Sequence, residues 1–160
     1  MYNTAIEKAK ELVSSPAWPR PIDKFPKESD DNCWGFALDG MKIPDLQSLH
    51  YHSDFNGLDK KIFDFLQAVG LNPRKLSSVS EKSSGEMVFL FYIFTYFDVY
   101  SEDFRGECHV ARIELDGTVV EKADSSEEPI VTSLEGIQER LYKERKKTIT
   151  PILIAVQNPL

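Results

Sequence analysis

Cys33 stands in "NCWGFA", residues 32–37, behind Asp30 and Asp31 and ahead of Gly40. Asp30, Asp31 and Asn32 are all N-cap types and the glycine is a stop, so the pattern predicts a short helix over residues 33–39 with the thiol in its first turn. Backbone N–H groups at a helix start stabilise a thiolate, and they can bind the oxyanion formed when that thiolate attacks a carbonyl. Such a nucleophile needs a base. The histidines are His50, His52 and His109. The first two fall in a loop, whereas His109 falls on a strand whose packing can hold its ring, which makes it the better base.

An orienting acid follows from the hairpin that carries His109. "ECHVARIEL" and "TVVEKAD" flank Asp116-Gly117, a two-residue turn signal. With those two residues at the turn, Leu115 faces Thr118 and His109 lies opposite Asp124, with Cβ atoms about 4.5–5.5 Å apart on one face. The same register turns Ala111, Ile113 and Val120 toward the His109 face and sends Val110, Arg112 and Glu121 to the other. A bulge that shifts the pairing by one residue reverses one strand's assignment, so Glu121 is the reserve orienting group. Cys33, His109 and either Asp124 or Glu121 are thus the candidate nucleophile, base and acid. Trp34 and Asn32 flank the thiol and are the candidate substrate-binding residues, although Trp34 could equally anchor the helix on the sheet. Cys108 adjoins His109 on the strand and therefore points to the opposite face, into the core. No Cys-x-x-Cys pair accompanies the histidines, so neither a metal nor a cofactor is predicted.

The elements that position these residues follow from periodicity. Ala5, Ile6, Ala9, Leu12 and Val13 predict a helix over residues 4–13, stopped by Pro16, Pro19 and Pro21. "SPAWPRPIDKFPKESDDN" is an irregular connector over the surface. "KIPDLQSLHYHSDFNG" is a loop, and residues 58–69 form an amphipathic helix ended by Gly70. "NPRKLSSVSEKSSGE" is polar surface. From Met87, bulky β-formers without polar alternation predict a central strand covered on both faces, with Tyr92, Tyr96 and Tyr100 on one of them. Thr132 with Glu135 makes a capping box for a helix through about residue 146. "TITPILIAVQ" closes the chain as a strand, assigned to a sheet edge because Pro151 lacks a donor. Helices followed by antiparallel strands give an α+β fold, and 160 residues suit one domain, residues 1–160.

Composition narrows the function. The formal net charge is -7, which repels a phosphate backbone, and "KERKK" sits at a helix end where cations suit the dipole, so no nucleic-acid partner is expected. The apolar run "MVFLFYIFTYFDVY" is too short for a transmembrane helix. The start, "MYNTAIEKAKELV", lacks a signal peptide's apolar segment, and two cysteines make no disulfide framework. A cytoplasmic protein is expected, or one exported by a dedicated secretion system.

"NCWGFA" resembles the nucleophile segment of papain-like thiol hydrolases. Its Cys-x-Gly-Phe is similar to that of the NlpC-type cell-wall peptidases and the type VI secretion amidases. "CHVARIELDGTVVEKAD" resembles the histidine segment of that second group: His-Val-Ala opens a strand, a Gly-containing turn follows, and a third polar residue lies on the next strand. The order of cysteine before histidine also matches. The two stretches span roughly a sixth of the chain, and no glutamine precedes Cys33 to complete a papain-type oxyanion hole. The resemblance implies a papain-like α+β fold, N-terminal helices packed on an antiparallel sheet, with Cys33 as nucleophile and His109 as base. Its spacing points nearer to Glu121 than to Asp124 for the third member. It implies a cofactor-free amide hydrolase acting on a peptide or protein through an acyl-enzyme, a peptidase, amidase or deamidase, of the kind used as bacterial effectors or toxins. The alternative is a catalytically silent relative that binds a protein partner, such as an inhibitor or immunity-type protein.

Overall fold

Glu86–Asp98 is dense in aromatic and β-branched side chains. In the computed structural model, which describes residues 2–26, 32–44, 57–123, 126–146 and 148–157, this run is the strand around which the sheet is built. The strands are β1 (Arg74–Leu76), β2 (Glu86–Asp98), β3 (Asp103–Ile113), β4 (Val119–Glu121), β5 (Ile130–Thr132) and β6 (Ile152–Gln157). They form one six-stranded antiparallel sheet in the order β1-β6-β2-β3-β4-β5. The helices are α1 (Tyr2–Val13), α2 (Cys33–Ala37), α3 (Leu58–Val69) and α4 (Leu134–Arg145). The fold is α+β, as the periodicity predicts.

Every residue from Met87 to Tyr92 is buried, because the sheet is covered on both sides. Met87, Phe89, Phe91, Cys108 and Val110 meet α1, α2 and α3 on one face. Val88, Leu90, Tyr92, Ala111 and Ile113 meet Ile137 and Leu141 of α4 on the other. The helices before the sheet and the helix within it therefore take opposite faces. Among the described residues no helix is long and apolar enough to cross a membrane.

Helix ends follow local chemistry. α3 stops at Gly70, whose φ of 96° is the left-handed conformation that glycine tolerates. The N-cap of α4 is Ser133, whose hydroxyl accepts from Gly136 N at 3.0 Å. The N-cap is Ser133 instead of Thr132, because Thr132 closes β5, and with Gly136 three residues after Ser133 the capping box expected between Thr132 and Glu135 does not form. Three further expectations change. The polar stretch before β2 contains β1 and a 3-10 turn at Val79–Glu81. β6 lies inside the sheet between β1 and β2, since Pro151 precedes the ladder and withdraws no donor from it. Tyr100 lies in the turn after β2 and is 97% exposed, so it does not continue the face of Tyr92.

The proline-rich connector is only partly surface. Trp18 and Phe25 are buried, and the Trp18 indole N–H donates to Leu38 O at 2.9 Å. Arg20 binds Asp39 through its guanidinium and its backbone N–H, each at 2.8 Å. These contacts hold the connector against the segment that leaves α2. Asp30, Asp31, His50, His52 and most of the loop expected between α2 and α3 lie outside the described residues.

Candidate active site

α2 has five residues, too few to be stable alone, yet its backbone is held at both ends. Asn32 is the N-cap: its side-chain oxygen accepts from Trp34 N at 3.1 Å and Gly35 N at 2.9 Å. At the other end Arg112, fully buried on β3, donates to Phe36 O at 3.4 Å and Ala37 O at 3.1 Å, and reaches Arg20 O at 2.8 Å. A guanidinium there supplies a donor to Ala37 O, adds to the Asp39 N–H already on Phe36 O, and meets the negative end of the helix dipole. Its Cζ lies 5.0 Å from the Phe36 ring centroid. Asn32, offered by the sequence as a substrate contact, has its side-chain oxygen committed to the helix start.

Trp34 fastens the helix sideways. Among the described residues the β3–β4 ladder ends at Arg112↔Val120, so β3 runs on past the end of its neighbour. The Trp34 indole N–H donates to the carbonyl of Cys108 on that stretch. Of its two readings, the anchor on the sheet is the one with a contact here. The Cys33 thiol lies at the same edge, with Sγ 4.0 Å from Cys108 O, near enough to the His109 imidazole to help raise its pKa. Cys33 is half-buried, whereas Cys108 is buried in the core, as its alternation with His109 predicts.

The hairpin departs from the expected register by one residue. Glu114 N donates to Thr118 O at 2.9 Å, and Gly117 N donates to Glu114 O at 2.9 Å. Leu115, Asp116 and Gly117 therefore form a three-residue loop, with Gly117 at φ 90°, the form in which a left-handed glycine follows a tight turn. Ile113 then pairs with Val119 and Arg112 with Val120. Glu121 moves to the His109 face and Val120 to the opposite one, where it packs on Phe25 and Phe36. Asp124, expected opposite His109, lies outside the described residues.

Glu121 is the carboxylate that meets His109. His109 Nε2 and Glu121 Oε2 are 2.6 Å apart, with side-chain exposures of only 7% and 2%. With Nε2 held by a carboxylate, Nδ1 is the ring nitrogen left for the thiol. Burial opposes the charged imidazole, but interaction with Cys33 and with the Glu121 carboxylate outweighs it, and the His109 pKa is raised. Burial likewise opposes the Glu121 carboxylate, yet His109 and Arg140 together hold its pKa below the ordinary value. Burial, and then the charge of Cys33, pushes the Cys108 thiol well above the usual range, so that thiol is a core group.

Two neighbours escape sequence reasoning. Arg140 of α4 places Nη2 2.5 Å from Glu121 Oε2. Tyr92 lies beside His109 with ring centroids 6.0 Å apart, and its buried hydroxyl has no hydrogen-bond partner among the described residues. The strand pairing Tyr92↔His109 would have signalled Tyr92 had the β2–β3 register been known. No spacing rule connects Arg140 to a strand 19 residues earlier. A cavity of about 340 Å³ at the hairpin end of the sheet is lined by Trp18, Pro19, Met87, Arg112, Leu115 and Val156 among others. None of its lining residues belongs to the Cys33–His109–Glu121 cluster. Comparison of the chain with protein-family models, curated proteins and solved structures returns no match.

Proposed function

We propose that this protein is a cysteine-dependent amide hydrolase of the papain-like kind, with Cys33 as nucleophile, His109 as base and Glu121 as orienting acid. The observation that carries the reading is the position of the His109 ring, held 2.6 Å from the Glu121 carboxylate and next in the strand to Cys108, whose carbonyl lies 4.0 Å from the Cys33 sulfur. The resemblance of "NCWGFA" and "HVARIELDGTVVE" to the NlpC-type peptidases and type VI secretion amidases, whose spacing points nearer to Glu121, supports the same assignment.

In this reading His109 takes the Cys33 proton, and Sγ attacks the amide carbonyl carbon. The tetrahedral intermediate collapses to a thioester as His109 hands that proton to the leaving amine. Water, activated by the same imidazole, then releases the acid and restores the thiol. Glu121 holds the Nε2–H tautomer and stabilises the imidazolium without accepting its proton, as in other triads. The backbone N–H of Cys33 is the proposed oxyanion donor. Substrates of the class are a peptide, a cell-wall peptide or a glutamine side chain, and the biological setting proposed is a bacterial effector.

Two measurements test this. Wild type and Cys33→Ser are assayed for release of amine or ammonia from a peptide, a peptidoglycan fragment and a protein-bound glutamine. Cys33 alkylation by iodoacetamide is followed against pH in wild type and His109→Ala. Activity lost in Cys33→Ser, with alkylation at mildly acidic pH lost in His109→Ala, is the expected result. A Cys33 that reacts like a free thiol and ignores His109→Ala removes the proposal in favour of a catalytically silent binding protein.

A further inference from the structure

We infer that Arg140 is a positioning residue of this cluster: its guanidinium and the His109 imidazole converge on the same oxygen, Oε2 of Glu121, and Arg140 thereby keeps that carboxylate an acceptor for His109. The inference rests on the Cys33–His109 reading above and extends it to a residue on another layer of the fold.

Three atoms meet at this point. Oε2 lies 2.6 Å from His109 Nε2 and 2.5 Å from Arg140 Nη2, and the two nitrogens are 3.2 Å apart. While Nε2 carries its proton, both nitrogens are donors and the short nitrogen–nitrogen distance is no bond between them; the oxygen is what brings them together. A neutral Glu121 would be different. Its hydroxyl could donate to Nε2, which would move the ring proton to Nδ1, facing the thiol, where it cannot accept the Cys33 proton. A fixed cation on Oε2 opposes that state because the charged carboxylate then has two partners in a nearly dry site.

Arg140 is well placed to hold this position. It follows Ile137 and precedes Leu141 on α4, both buried in the core, and its own side chain is 27% exposed. Its other terminal nitrogen lies 3.5 Å from Glu144, one turn on. Among the described residues, the charged and titratable groups that act on Glu121 are His109 from β3, Tyr92 from β2 and Arg140 from α4. Glu144 stands behind Arg140, and Cys33 of α2 stands behind His109.

The test uses the full chain as wild type, Arg140→Gln and Arg140→Lys, with iodoacetamide as probe and peptide mapping to isolate Cys33. Removing an opposite charge beside a carboxylate raises its pKa by about 1–3 units, so the acid midpoint of Cys33 alkylation in Arg140→Gln is expected to rise by about one pH unit. Arg140→Lys keeps the charge but not the fork, and its midpoint falls between the two. A role confined to packing lowers the melting temperature and leaves the midpoint in place, which overturns the inference. Should Arg140→Gln fail to fold, Arg140→Met, which also removes the charge, decides on the same readout, an unmoved midpoint again overturning it. If wild type itself shows no acid limb dependent on His109, the underlying reading fails and this one with it. A wild-type limb that Arg140→Gln does not move sinks only the role of Arg140.

Discussion

Glu121→Gln separates the contact observed at His109 from the one expected of Asp124. The exchange keeps the size of the side chain and one acceptor oxygen but removes the charge on which His109 and Arg140 converge. Breaking a buried ion pair costs about 3–5 kcal/mol. Here the lower end applies, about 3 kcal/mol, because Arg140 is 27% exposed and retains Glu144 as a partner. For a chain of this size that corresponds to a fall in melting temperature of roughly 6–12 °C.

The pH dependence of this loss follows from the two shifts. The Glu121 pKa is lowered on folding, so its contribution is present above 4.5 and disappears as pH falls through the native value. The His109 pKa is raised, so its contribution is complete below 6.5 and disappears as pH rises through the native value. The stability gap between wild type and Glu121→Gln is therefore widest between pH 4.5 and 6.5 and narrows on both sides. Thermal unfolding across pH measures it, and Cys33 alkylation on the same samples should slow by at least about tenfold at mildly acidic pH. Asp124→Asn is the control, expected to leave both curves unchanged. A Glu121→Gln protein with wild-type stability and reactivity, beside an Asp124→Asn protein that has lost both, would refute the assignment.

Other consequences are independent of that pair. Asn32→Ala removes the acceptor for two N–H groups at the start of α2 and should cost about 0.5–2 kcal/mol in urea denaturation; an unchanged midpoint would show that the cap is dispensable. Arg112→Met leaves the carbonyls of Phe36, Ala37 and Arg20 without their shared donor, and relief of the buried charge offsets part of the cost. A net loss of about 2–4 kcal/mol is expected in the same assay, and a gain in stability would argue against Arg112 as the clamp on α2. Native Cys108 should resist iodoacetamide under conditions that label Cys33, and label fully only in denaturant, as read by mass spectrometry of the two peptides.

Much of this molecule is local in origin. α1, α3 and the core run of β2 carry their periodicity in the chain, and Gly70 ends α3 as its position predicts. Cys33 sits at the first residue of α2, because Asn32 caps the backbone from one residue away. His109 stands on a strand and Cys108 on its reverse face, since alternation is a property of the extended backbone. The proline before β6 was a poor guide because it belongs to the lead-in, outside the ladder.

What lay beyond the sequence was the identity of the carboxylate and what surrounds it. Asp116-Gly117 suits a two-residue or a three-residue loop, and the choice rests on how the whole hairpin packs. One residue of slip in a structure of period two inverts every side chain beyond it, and that slip turns Glu121 toward His109. Arg140 enters only because α4 packs on the face of the sheet opposite α1, α2 and α3. Short-range capping and alternation suffice for a thiol at a helix start and a histidine on a strand. Which charge completes them depends on register and on the packing of separate layers, and both are decided by the tertiary structure.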